Sequence, residues 1–190
     1  MQAKMGLRER LAESETSPAV TQLTFRELFD SQFAYVWNAL KRLGIQERDL
    51  EDIAQQVFLQ VHAQLSSYDP TRPLRPWLFA FAFHAASNYR DLARHKVELS
   101  IVPPELHDPL PRADEQLITR QELELAERAL KRVAIERRAV LLLHEVEGHT
   151  MPEIAESLNI PLNTAYSRLR LARQEYEQAV RRLRAQRGEA

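Results

Sequence analysis

Residues 149–173, HTMPEIAESLNIPLNTAYSRLRLAR, constrain the fold more than any other stretch of the chain. Thr150 and Glu153 stand at the S/T-x-x-E spacing of a capping box, and Pro152 sits in a first helical turn where its missing N–H costs little. This predicts a helix from about Met151. Ile154, Ala155 and Leu158 share one side of it, Asn159-Ile160-Pro161 interrupts it, and Ala165, Leu169 and Ala172 resume helical spacing. Two short helices sharing an apolar seam read as a helix-turn-helix. Its second helix exposes Asn163, Thr164, Ser167, Arg168, Arg170 and Arg173, side chains suited to base edges and phosphates. The competing reading is an αα-hairpin with a solvated basic face.

The rest of the composition agrees with a helical protein. Four glycines in 190 residues, 7% aromatics and an abundance of Ala, Leu, Glu, Arg and Gln favour all-α over a sheet. With 44% hydrophobic residues the chain can bury one large or two small cores. The absence of cysteine excludes disulfides, thiol catalysis and zinc fingers, and no stretch resembles a signal peptide or membrane span, so a cytoplasmic location is expected. A net charge of -1 conceals a strong segregation. Residues 159–187 set seven arginines against Glu175 and Glu177, whereas residues 97–127 set eight acids against Arg112 and Arg120. A basic tip supplies salt-dependent phosphate affinity even in a chain that is neutral overall.

Turn and cap signals divide the chain. Residues 1–22, of mixed charge, read as a flexible tail. Thr24 and Glu27 form a second capping box, opening a helix whose apolar residues Phe25, Leu28, Phe29, Phe33, Val36, Leu40 and Leu43 point inward until Gly44 ends it. A second helix, from Asp49 to about Leu65, turns Ile53, Val57, Phe58, Val61 and Leu65 inward and leaves Asp49, Asp52, Gln56 and Gln60 outside. Residues 66–75, SSYDPTRPLR, are a loop, and Pro76 starts a third helix that runs to roughly Arg94. Prolines 103, 104, 109 and 111 mark residues 96–113 as an extended linker between domains at 23–95 and 114–187. In the second domain Leu123, Leu130, Val133, Val140, Leu141 and Leu143 are expected to form a separate small core.

Catalytic patterns are missing. His144 and His149 are five apart with Gly148 between them, whereas a zinc-protease helix needs two histidines four apart, so no metal and no cofactor is expected. Four scattered glycines make no phosphate loop, and no Ser, His and Asp spacing suggests a nucleophile. The chain is not read as an enzyme, and no small-molecule substrate is expected.

Three blocks in order carry a resemblance: DLEDIAQQVF at 49–58, RPWLF at 75–79, and LLLHEVEG at 141–148 followed by PLNTAYSRL at 161–169. Over about residues 24–180 the chain resembles bacterial RNA polymerase sigma factors of the extracytoplasmic-function type, the minimal class with regions two and four. The resemblance implies a transcription initiation factor with two small helical domains joined by the Pro-rich linker. Asp49, Asp52, Gln55 and Gln56 match the surface that docks on the β′ clamp helices of core polymerase, where acids and amides on a rigid helix give register against a basic partner. Gln56 departs from the family's usual Glu, which weakens that charge.

Further roles follow from the same resemblance. The loop 66–75 matches the one that captures a flipped base of the minus-ten element, so Tyr68, Arg72 and Arg75 are candidates to stack on a base or hold phosphates. Trp77, Asn88, Arg90 and Arg94 lie on the surface that meets the unwound strand, although a lone Trp at a helix start more often packs in a core. Ala80, Phe83 and Asp91 stand where relatives often carry cations, implying weaker autonomous promoter opening. Asn163, Thr164, Tyr166, Ser167 and Arg168 align with the minus-thirty-five readers, Arg168 foremost, with Arg170 and Arg173 on phosphates. Tyr166 and Leu171 replace common basic residues there. Implied partners are core RNA polymerase through its β′ clamp helices and β flap, promoter DNA and an anti-sigma factor. A polymerase-binding adapter and a stand-alone helix-turn-helix regulator are the alternatives.

Overall fold

The computed structural model of the chain describes residues 24–99 and 115–188, and among these every regular element is a helix. Helix α1 (Phe25–Leu43) starts on the predicted capping box: the Thr24 hydroxyl accepts from the Glu27 N–H at 3.3 Å while the Glu27 carboxylate accepts from the Thr24 N–H at 3.0 Å. It stops at Gly44, whose φ of 101° lies in the left-handed region that a side chain rarely adopts. Helices α2 (Leu50–Gln64) and α3 (Leu74–Leu99) complete a bundle in which all three pack pairwise. Leu28, Val36, Leu40, Val57, Val61, Leu78 and Ala82 are fully buried at its centre, each large aliphatic side chain contributing about 1.5–3 kcal/mol.

The C-terminal half consists of α4 (Glu115–Lys131), α5 (Ile135–Leu141), a π-helical turn over Leu142–Val146, α6 (Met151–Ser157) and α7 (Leu162–Arg187). The second capping box is present at Thr150 and Glu153, and Asn159 makes the turn of the helix-turn-helix at φ 50°. Ile154, Ala155, Leu158, Ala165, Leu169 and Ala172 are buried along its seam, as their spacing predicts.

Four expectations are corrected. Helix α3 continues past Arg94 to Leu99, so residues 96–99, assigned above to the linker, are helical. No Gly or Pro stands between Arg94 and Pro103 to stop the helix earlier. The remainder of the linker and the N-terminal tail lie outside the described residues. Leu123 is 62% exposed, because Leu125 and Ala129, one turn apart, form the inward face of α4 against Ala179 and Leu183. Phe29 and Phe33 are 36% and 37% exposed and form an outward ladder with Phe25 and Phe58 instead of a closed core.

The fourth concerns the cores. The two halves share one apolar cluster, in which Leu78, Phe81 and Ala82 of α3 are joined by Met151, Ile154 and Leu158 of α6, and α1 touches both α4 and α5. Arg138 locks this seam. It is 2% exposed, and its guanidinium donates to the carbonyls of Leu43 at 2.7 Å, Lys131 at 2.6 Å and Val133 at 2.8 Å. One side chain thereby serves the open carbonyl ends of two helices, α1 and α4. Burial, followed by the nearby charge of Arg90, brings its pKa down to about 10, which leaves it charged at neutral pH. A Cβ at Gly44 would lie 2.8 Å from Arg138 Nη1, so this position needs glycine for space as well as for φ.

Candidate nucleic-acid interface

The reading helix α7 presents the expected face. Asn163, Tyr166, Ser167 and Arg170 are exposed, and Thr164 and Arg168 are half-buried beside them. The absence of a side-chain cap at Pro161 leaves the first backbone N–H groups of α7 open at the end that carries Asn163, and such an end favours anions. Two of these side chains are already engaged. The Ser167 hydroxyl donates to the Thr164 carbonyl at 2.9 Å, and Arg173 Nε donates to Glu145 at 2.8 Å. Arg173 would have to exchange Glu145 for a phosphate to act on DNA.

In the loop 66–75, Asp69 accepts from the Thr71 N–H at 2.9 Å and from its hydroxyl at 2.7 Å, fixing a tight Asx turn. These bonds hold the Asp69 carboxyl below its ordinary pKa. Tyr68 donates to the Arg72 carbonyl at 2.5 Å and lies with its ring 4.7 Å from that of Trp77, which in turn meets Phe81 edge-on at 4.9 Å. Trp77 is thus half-buried and packs against the core. Arg72 and Arg75 are exposed. Arg72 reaches Asp69 at 3.6 Å and, across the seam, Glu156 at 2.9 Å. The Arg75 guanidinium stands over Tyr35, 5.3 Å from the ring centre.

Farther along α3 the candidates diverge. Asn88 is exposed, but Arg90 turns inward, its Nη1 buried without a hydrogen-bond partner and its charge acting on Arg138. The side chain of Arg94 lies outside the described residues. On α2, Asp52, Gln55 and Gln56 form an exposed row, whereas half-buried Asp49 accepts from the Tyr89 hydroxyl at 2.6 Å and ties α2 to α3. Burial and that bond to a carboxylate push the Tyr89 phenol up to about 12. The exposed row is flanked by Glu51 and Leu59, which line a cavity with Phe25, Phe29, Phe33 and Phe58. Sequence reasoning did not single out this apolar margin, because the 3.6-residue period of α1 alone cannot tell a covered Phe from one left at a groove.

Tyr35 and Glu147 were also missed. The Tyr35 hydroxyl donates to the Glu147 carboxylate at 2.7 Å and lies 3.1 Å from the Arg75 carbonyl, joining α1, the start of α3 and the loop before α6. Burial raises the pKa of both groups, and the charges of Arg42 and Arg75 oppose the rise at Glu147. Nothing in the sequence marks a pair separated by 112 positions. Among the described residues no cluster of His, Asp or Glu could hold a metal ion, and no helix is long and apolar enough to cross a membrane.

Comparison with known proteins gives a consistent result. The Sigma-70 region 2 family profile matches residues 28–95, and the Sigma-70, region 4 profile matches residues 123–175. ECF RNA polymerase sigma factor SigL of Mycobacterium tuberculosis is 29% identical over 168 residues, covering 85% of this chain and 92% of SigL. RNA polymerase sigma factor CnrH of Cupriavidus metallidurans is 26% identical over 161 residues, covering 80% and 84%. The structure of CnrH in complex with the cytosolic domain of CnrY superposes with a TM-score of 0.56 at 25% identity, over 81% of this chain and 85% of that one. The sigma factor RpoE in complex with the anti-sigma factor NepR from Bartonella quintana has the same fold, with a TM-score of 0.67 at 18% identity over 83% and 96%.

Proposed function

The chain belongs to the sigma-70 family, of the extracytoplasmic-function type, and from that premise we propose how its own residues divide the work of directing RNA polymerase to promoters. It is a transcription initiation factor that binds core RNA polymerase and promoter DNA. In the proposed division residues 23–95 act as region two and residues 114–187 as region four. Asp52, Gln55 and Gln56 dock on the β′ clamp helices, and the observation that carries this is their exposure as one polar row on a rigid helix. Asp49 has a different part: by accepting from Tyr89 it fixes the angle at which that row is offered.

The loop 66–75 holds the unwound minus-ten strand, with Arg72 and Arg75 on phosphates. Tyr68 and Trp77, their rings in tilted contact at 4.7 Å, form the aromatic platform beside them. Asn163 and Arg168 read base edges of the minus-thirty-five element, Arg170 grips the backbone, and Arg173 joins it after releasing Glu145. An anti-sigma factor is a further proposed partner, following the complex formed by RpoE. The functional groups are donors and charges placed for binding, and the role needs no chemistry of the chain's own.

The test is run-off transcription with purified core polymerase, this chain and fragmented genomic DNA, paired with a fluorescence-polarisation titration of core binding. Discrete transcript starts sharing two spaced upstream elements are expected, and Asp52→Arg should weaken core affinity about tenfold, the size of a charge reversal at a docking pair. Unchanged affinity of the Asp52→Arg protein for core would remove the docking assignment.

A further inference from the structure

The reading helix carries more than hydrogen-bond donors and cations. Leu162 and Tyr166 are large apolar side chains, yet they remain 42% and 54% exposed. They stand one turn apart on α7, so they share a flank of the helix and are side-chain neighbours. Both fall in its first two turns, the part of a reading helix that meets base edges. Asn163 and Ser167, also exposed, run alongside them one position on. Leu123 and Val146, exposed apolar residues elsewhere in the C-terminal half, line a cavity with Arg42 and Tyr176, whereas Leu162 and Tyr166 lie on the face offered to DNA.

The same flank continues to Arg173, seven residues beyond Tyr166, whose Nε donates to Glu145 at 2.8 Å. A phosphate taken by Arg173 carries no sequence information. Base readout on this side of the helix is therefore left to hydrocarbon. Of the four bases only thymine shows a hydrocarbon group in the major groove, its C5 methyl, and apolar side chains are the matching partner. Cytosine shows an amino donor at the same edge, which a leucine or a ring edge would cover without accepting its hydrogen bond. We propose that Leu162 and Tyr166 select thymine in the minus-thirty-five element by enclosing its methyl group. This rests on the assignment of α7 as the reading helix.

The two residues have unequal parts. Tyr166, the more exposed, presents a rigid ring with only two torsions to fix on binding. Leu162, the first residue of α7, closes the contact from the helix start. Burying one methyl is worth about fourfold in affinity, so one or two enclosed methyls give about four- to sixteenfold. Arg168 is two residues past Tyr166 and points about 200° round the helix from it. It therefore flanks the polar centre of the face on the other side, and the two preferences belong to different base pairs.

The experiment uses holoenzyme assembled from core polymerase and the full chain, on a promoter duplex taken from a transcript start mapped by run-off. In the test duplex every thymine upstream of the minus-ten element, on both strands, is replaced by deoxyuridine, which deletes the methyl and keeps the O4 acceptor. Competition against the labelled thymine duplex should show binding weaker by about fourfold for one enclosed methyl and about sixteenfold for two. Restoring thymine one position at a time should recover the loss at one or two base pairs only. In holoenzyme carrying Leu162→Ser with Tyr166→Ser, both exposed positions, the thymine and deoxyuridine duplexes should bind alike. Equal binding of the two duplexes by the parent would overturn the proposal. So would a loss of the same size in the Ser variant, which would place the effect in the deformability of the DNA, or a minus-thirty-five element without an A·T pair. Arg168→Ala on a mutated minus-thirty-five template is the separate check on the helix itself. Selectivity lost there, with a parent indifferent to deoxyuridine, removes the methyl contact alone, whereas unchanged selectivity removes the reading helix.

Discussion

Replacing Gly44 by Ala adds one methyl group at a point where two demands meet. The residue sits at φ 101°, and a side chain in the left-handed region costs roughly 1–2 kcal/mol. The added Cβ would stand 2.8 Å from Arg138 Nη1, closer than such atoms approach. An arginine tip usually swings aside at little cost, but this one is 2% exposed and held by three carbonyls. Moving it forfeits at least the bond to Leu43, about 1.5–3 kcal/mol for a charged donor. Gly44→Ala should therefore destabilise the chain by roughly 2.5–5 kcal/mol, lowering Tm by about 5–20 °C at this chain length. Urea unfolding of four proteins, the parent, Gly44→Ala, Arg138→Met and the double variant, isolates the steric part. With the guanidinium gone the methyl has room, so the cost of Gly44→Ala in the Met background should fall to about 1–2 kcal/mol of backbone strain. An identical cost in both backgrounds would refute the steric coupling between Gly44 and Arg138.

Arg168→Ala should remove about 1–3 kcal/mol of discrimination between promoter and mutated minus-thirty-five templates while leaving core affinity unchanged; equal selectivity in run-off transcription would sink its role as a base reader. Thr150→Ala breaks the capping box that starts α6 and should cost about 1 kcal/mol, seen as faster amide exchange over Met151–Ile154. Protection unchanged from the parent would show that Pro152 and tertiary packing, not the cap, define that helix start.

The parts of this molecule that were legible in the sequence are those whose partners are near in the chain. Thr24 with Glu27, Thr150 with Glu153, and the stop at Gly44 are interactions within about four residues, and each is present. The helix-turn-helix seam was legible for the same reason, since Ile154, Leu158, Ala165 and Leu169 repeat at helical spacing. Arg138 was not. In sequence it sits in an ERR run on a polar stretch, and its role depends on a carbonyl 95 positions away. Glu147 and Glu156 look like any solvated acids until Tyr35 and Arg72 are brought beside them. Phe29 and Phe33 show the opposite failure, because apolar spacing predicts a buried face, whereas α2 and α3 together cover only part of it.

The way Arg138 is built in also decides whether the closed arrangement can open. Two of its three carbonyl partners, Lys131 and Val133, belong to its own half and leave with it; only Leu43 lies across the seam. Parting the halves exposes the guanidinium and the end of α1 to water, which replaces that single bond. The net value against water of an intramolecular hydrogen bond from a charged donor is about 1.5–3 kcal/mol. Deleting the arginine is a different perturbation, since in the closed state it leaves three carbonyls without their donor. The seam is thus costly to mutate and modest to hydrate. The Arg72–Glu156 pair, with both side chains more than half exposed, adds little more resistance. What opposes opening is chiefly the apolar contact of α6 with α3. Opening therefore needs an agent that binds the parted form, and docking of the two halves at separate places on core polymerase would supply it.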